Sequence, residues 1–128
     1  MPTRNALPVP TEAQEQTALI EWAATQHSKY PELALLFHVV NEGKRTGRNG
    51  AQLVRMGLRS GVPDLCLPVA RGGYNALYIE LKRTKGGRVS EQQRWWISRL
   101  LEQGCYATAC NGWQAARKVI EDYLGGEL

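Results

Sequence analysis

The chain has 128 residues, 43% hydrophobic and 22% charged, the composition of one soluble domain with a proper core. No apolar run approaches the ~20 residues of a membrane span, and the N-terminus lacks the apolar core of a signal peptide. The three cysteines form no CxxC pair and read as small core residues in a reducing cytosol, against a zinc site or disulfide framework, while a net charge of +4 permits a polyanionic partner without demanding one.

Residues 1–10, with three prolines, read as a disordered lead-in, which leaves 11–128 as a single domain. Thr11 is placed to cap a helix running to about His27, with Glu12 and Glu15 at the positive end of its dipole. Ala18, Leu19, Trp22 and Ala23 form the apolar stripe, and Glu15 shares that side. Dipole complementation in a frayed first turn accounts for Glu12 better than for Glu15. Pro31 then breaks the chain, and Leu35–Val40 reads as a strand that holds His38 as a core histidine.

Residues 41–61, NEGKRTGRNGAQLVRMGLRSG, are the least regular part, with five glycines and a short helix expected around Ala51–Met56. Lys44, Arg45, Arg48, Arg55 and Arg59 fall in sixteen residues that contain no acid. This is either a solvated loop or a phosphate-contacting surface; Arg, Lys and backbone amides of this kind usually make phosphate contacts, which favours the latter.

The stretch GVPDLCLPVARGGYNALYIELK, residues 61–82, reads as two strands joined by a hairpin with its tip at Arg71-Gly72-Gly73. Strand side chains alternate between faces, so Glu80 and Lys82 point one way while Ile79 and Leu81 point the other. An exposed strand face would explain that pair. A second explanation brings Asp64 and Glu80 together around a hard divalent cation, with Lys82 facing the same point. Mg²⁺ takes few carboxylates and keeps several waters. Two carboxylates and an ammonium around it suit phosphodiester hydrolysis.

Beyond Glu80 lies a basic turn, Arg83–Arg88, in which Arg83 and Lys85 extend the cationic surface. Ser90 and Gln93 form a capping box opening a helix with Trp96, Leu100 and Leu101 on one side, ending at Gly104. Cys105–Ala109 reads as a strand, and Asn111 as the cap of a last helix carrying Trp113, Ala116, Val119, Ile120 and Tyr123. The order α-β-β-β-α-β-α predicts an α/β fold with a mixed sheet flanked by helices.

The strings GLRSGVPDLCLP and YIELKRTKGGRVSEQQRWWISRLLEQGCYA, with a closing helix ending in DYL, resemble the VRR-NUC domain, a branch of the PD-(D/E)xK nuclease superfamily. The resemblance covers nearly the whole chain. It implies a restriction-endonuclease-like core in which Asp64 is the metal-binding aspartate and Glu80 and Lys82 the E-x-K pair. The family's first-helix glutamate falls on Glu15, with Glu12 second, and its glutamine on Gln93. Members are similar to Mg²⁺- or Mn²⁺-dependent enzymes that cut branched DNA such as Holliday junctions, the small stand-alone ones as homodimers. On that model Asp64, Glu80, Glu15 and the Leu81 carbonyl hold metal, and Lys82 orients or deprotonates the attacking water.

Two other readings compete. A non-catalytic DNA-binding module shares the basic segment, but has no reason to keep an acidic cluster that repels phosphate. A sequence-specific duplex nuclease of the same fold calls for a base-reading element, and no helix presents Arg, Asn and Gln in a row. Trp95, left over from the stripe of its helix, is a candidate for a dimer interface or for packing on a neighbouring helix.

Overall fold

Leu77, Ile79 and Leu81 alternate with Tyr78, Glu80 and Lys82, and the alternation produces an interior strand, β3 (Leu77–Lys82). The computed structural model describes residues 7–40 and 47–128, with 47–49 described by backbone alone. Its four-stranded sheet has the order β1 (Phe37–His38), β2 (Leu65–Leu67), β3, β4 (Tyr106–Asn111). β1 and β2 run antiparallel to their neighbours, whereas β3 and β4 are parallel. Parallel neighbours require a crossover, and α3 (Glu91–Glu102) supplies it.

The leucine face of the sheet is covered by α1 (Glu12–Ala24) and α4 (Trp113–Leu124). Leu19, Ala116 and Ile120 meet Leu65, Leu67, Leu77, Ile79 and Leu81 there, all at most 1% exposed. Tyr123 joins them and donates its hydroxyl to the Val69 carbonyl at 2.6 Å, so the phenol is buried with its polar end satisfied. Burying a leucine or isoleucine in this way contributes about 1.5–3 kcal/mol, which makes this layer the main source of stability.

Several boundaries differ from the sequence-based expectation. Thr11 does cap α1, and Gln14 reciprocates as a capping box, but the helix ends at Ala24. Pro31–Leu35 tightens into a 3-10 turn, so the expected strand over 35–40 shrinks to two paired residues, with His38 half-buried. The short helix begins earlier than expected, as α2 (Gly47–Arg55).

Ser90 and Gln93 form the anticipated capping box of α3, yet no residue of that helix is fully buried and Leu101 is exposed. The half-buried side is Gln93, Trp96, Ile97 and Leu100. β4 extends to Asn111, which therefore cannot cap α4; Gly112 occupies that position at φ 89° and has no side chain to offer. The mixed α/β architecture is the one the order of elements predicted. No helix among the described residues is long and apolar enough to cross a membrane.

Candidate active site

The β2–β3 register pairs Leu65 with Ile79, Cys66 with Tyr78 and Leu67 with Leu77. Continued by one residue, it sets Asp64 opposite Glu80. Asp64 precedes the first residue of β2, so its side chain is free to take over the ladder, and its Oδ2 accepts the Leu81 amide at 2.8 Å. Its own carbonyl accepts the Val39 amide at 2.7 Å, which fixes the residue from both sides. The Lys82 carbonyl accepts from Gly112 on the β4 side. Neighbouring residues of a strand turn their amide and carbonyl to opposite edges, so the Leu81 carbonyl is directed to the Asp64 side.

Glu80 is 2% exposed and Lys82 7%. The Lys82 Nζ stands 3.4 Å from Glu80 Oε2, and Gln93 Nε2 donates to the same oxygen at 2.9 Å. Gln93 is thereby used twice, since its Oε1 accepts from the Ser90 amide at 2.8 Å. The other Glu80 oxygen, Oε1, is buried and has no hydrogen-bond partner among the described residues. Burial, and then the adjacent Asp64 carboxyl, push the Glu80 acid up to about 8 against the opposing pull of Lys82. An orphaned buried oxygen, a second acid opposite it and a main-chain carbonyl on the same side fit a hard divalent cation that retains waters at its other positions.

The first-helix acids divide differently from the expectation. Glu15 is 3% exposed, and its Oε1 accepts the Trp113 amide at 2.9 Å, closing the N-terminal end of α4 that Gly112 leaves uncapped. Glu12, half exposed, is the acid that approaches Lys82, with 4.0 Å between Oε2 and Nζ. Among the described residues no three His, Cys, Asp or Glu side chains gather into a ligand group, so Glu15 does not join Asp64 and Glu80 in one cluster. The residues that do converge are Asp64, Glu80, Lys82 and Gln93, with Glu12 at the edge. The Glu15–Trp113 cap left no local trace in the sequence, because its partners lie 98 positions apart.

The basic residues spread more widely. Arg55, Arg59 and Lys85 are exposed, and Arg83 is half-buried with Nε unpartnered among the described residues. Arg59 turns back on the end of α2, where Nη1 donates to the Val54 carbonyl at 3.4 Å and to the Leu58 carbonyl beyond it at 3.1 Å. Lys44 and Arg45 lie outside the described residues, as does the Arg48 side chain.

With this geometry in view, the family model and a solved structure point to the same family. The VRR-NUC domain model matches residues 10–114, a span that contains every residue of the site. A solved structure described as a VRR_NUC domain protein superposes with a TM-score of 0.79 at 28% identity, covering 93% of this chain and 92% of that one. No curated protein matches the chain. From α1 to the start of α4, then, the chain belongs to the VRR-NUC domain family and carries a nuclease-type domain.

Proposed function

We propose that this chain is a divalent-metal-dependent endonuclease that hydrolyses phosphodiester bonds in branched DNA such as a four-way junction. The observation that carries the reading is the unpartnered Glu80 Oε1, buried beside Asp64 with the Lys82 ammonium 3.4 Å from its other oxygen. A buried carboxylate oxygen calls for a partner, and a bound cation beside Asp64 would supply one. Bound Mg²⁺ or Mn²⁺ would supply charge neutralisation at the phosphate and an activated water.

The chain's own residues would do the rest. Asp64, Glu80 and the Leu81 carbonyl hold the ion; Gln93 keeps the Glu80 carboxylate in one orientation through its amide. Lys82 orients the attacking water and offsets charge that grows on the phosphate oxygens in the transition state. Glu12 lies on the open side of that ammonium and restrains it. The exposed Arg55, Arg59 and Lys85 contribute phosphate contacts that position the strand, and the half-buried Arg83 stands beside Lys82.

A four-way junction has near two-fold symmetry, and symmetric incision needs two active sites, which a homodimer supplies. The buried free thiols Cys66 and Cys110 suit a reducing cytosol.

The test is cleavage of a labelled four-way junction beside a linear duplex of the same sequence, in Mg²⁺ or Mn²⁺. EDTA and Lys82→Ala serve as controls. Paired cuts near the branch, absent with EDTA and in the variant, are expected. Tight junction binding without cutting in either metal would replace this reading with a DNA-binding module.

A further inference from the structure

Beside the site, α3 and the loop that leads to Asp64 enclose a second feature that the chemistry above does not use. A groove of about 420 Å³ is lined by Arg59, Ser60, Gln92, Trp95 and Trp96. No acid lines it. Its lining residues neighbour the site in the chain: Gln92 precedes Gln93, whose amide holds Glu80, and Ser60 lies in the segment that leads to Asp64.

The groove is built in advance of any ligand. Trp96 Nε1 donates to the Ser60 carbonyl at 3.1 Å, which locks that indole to the loop. Gly61, at φ +92°, lies so close to α3 that an added Cβ would stand 2.7 Å from Gln92, so loop and helix are held at a fixed spacing. Trp95 packs edge-on against Trp96, centroids 5.7 Å apart, and is nevertheless 56% exposed. The Arg99 guanidinium lies 5.8 Å from the Trp95 ring centroid and is held there by Glu102. An exposed indole with the Arg99 guanidinium over its ring, and Arg59 in the lining of the groove, offers what an unpaired base and its phosphate would require.

We propose that this groove seats an unpaired nucleobase of the nucleic-acid substrate, stacked on Trp95, with its flanking phosphate met by Arg59 or Arg99. The proposal rests on the nuclease reading for its substrate class and deepens it: the preferred DNA carries unpaired nucleotides next to the scissile bond. Fully paired duplex cannot offer a base to the groove without paying for unstacking.

The experiment separates binding from cleavage. A short fluorescein-labelled oligothymidylate is titrated into the full chain in EDTA, following both probe anisotropy and intrinsic tryptophan fluorescence. Saturable binding with quenching is expected. Trp95→Ala should weaken it by about five- to hundredfold, and Trp95→Phe, which keeps a stacking face, by less. The loss should persist at raised salt, because stacking releases no counterions.

In the cleavage assay, Trp95→Ala should also lower the ratio of cutting between a junction with unpaired nucleotides and a fully paired one. Equal probe affinity in the parent and Trp95→Ala proteins, with cleavage intact, would overturn the groove and leave the nuclease reading standing. Trp95-dependent probe binding by a protein that cuts nothing would do the reverse. A Trp95→Ala protein that changes only from dimer to monomer by light scattering, with probe affinity unaltered, would reassign the groove to a second copy of the chain.

Discussion

Glu15 on the first helix closes the start of the last one, its Oε1 accepting the Trp113 amide at 2.9 Å. The carboxylate is buried at the positive end of the α4 dipole, where Gly112 offers no side chain. Glu15→Ala should therefore cost about 1–2 kcal/mol and lower the melting midpoint by several degrees in calorimetry. Glu15→Gln keeps an acceptor for the amide and should cost less. An alanine variant that melts with the parent would show that the cap contributes nothing. Cleavage by the glutamine variant then tells whether the carboxylate also serves the reaction.

The raised pKa of Glu80 gives the metal-free protein a pH-dependent stability with a definite sign. The folded value of about 8 lies above the ordinary carboxylate value of 4.5, so the folded state favours the protonated acid. That contribution is complete below about pH 4.5 and is lost as pH rises through about 8. The groups facing Glu80 are Asp64 from the β2 side, Lys82 from its own strand and Gln93 from α3, with Glu12 behind Lys82. Melting midpoints in EDTA should fall across this range, and Glu80→Gln should flatten the profile. Saturating Mg²⁺ should restore stability at the alkaline end, because it binds the ionised form. A flat profile for the parent in EDTA would contradict the assignment.

Gln93 joins the helix cap to the site, with one end of its amide on Ser90 and the other on Glu80. Gln93→Ala releases both. We expect a ten- to hundredfold loss of metal affinity or cleavage rate, in the range typical of residues that orient a ligand. Circular dichroism should show α3 retained. Gln93→Glu preserves the capping box but places a third acid against Glu80, so it should melt lower than Gln93→Ala in EDTA and recover more in Mg²⁺.

Gly61 and Gly73 both have positive φ, +92° and +88°, but only Gly61 is crowded. An alanine at Gly61 meets Gln92 at 2.7 Å, whereas at Gly73 nothing lies within 4 Å. Gly61→Ala should cost at least about 2 kcal/mol, from strain and overpacking together. Gly73→Ala should cost about 1–2 kcal/mol from backbone strain alone. Urea denaturation of the pair would measure the difference, and equal midpoints would remove the close approach of loop and α3 as its cause.

Much of this was legible in residue order, and what escaped has identifiable physical causes. The alternation in residues 77–82 already put Glu80 and Lys82 on one face, because strand periodicity is local. Ser90 with Gln93 announced a capping box for the same reason. The sequence also suggested Asn111 as a helix cap, which fails because β4 keeps that residue in the sheet and a carboxylate from α1 does the capping. Leu101 reads as part of an apolar stripe but is exposed, since α3 rests on the sheet by a different side. Leu35 reads as strand, yet the turn begun at Pro31 absorbs it. For Asn111 and Leu101 the deciding contact is distant in the chain, and short-range patterns carry no information about it. For Leu35 the cause is the local turn that competes with the strand.

The spacing of these contacts along the chain also sets an order of assembly. Asp64, Glu80, Lys82 and Gln93 come from one continuous run, closed by an antiparallel pair and a helix N-terminus. The Glu15–Trp113 bond closes a loop of 98 positions, whose entropy must be met before the bond returns anything. The run around β2 and β3 should form in the rate-limiting step of folding and the α1–α4 clasp after it. Glu15→Ala should accordingly speed unfolding while leaving the refolding rate nearly unchanged, and the two limbs of a stopped-flow chevron would resolve the effect.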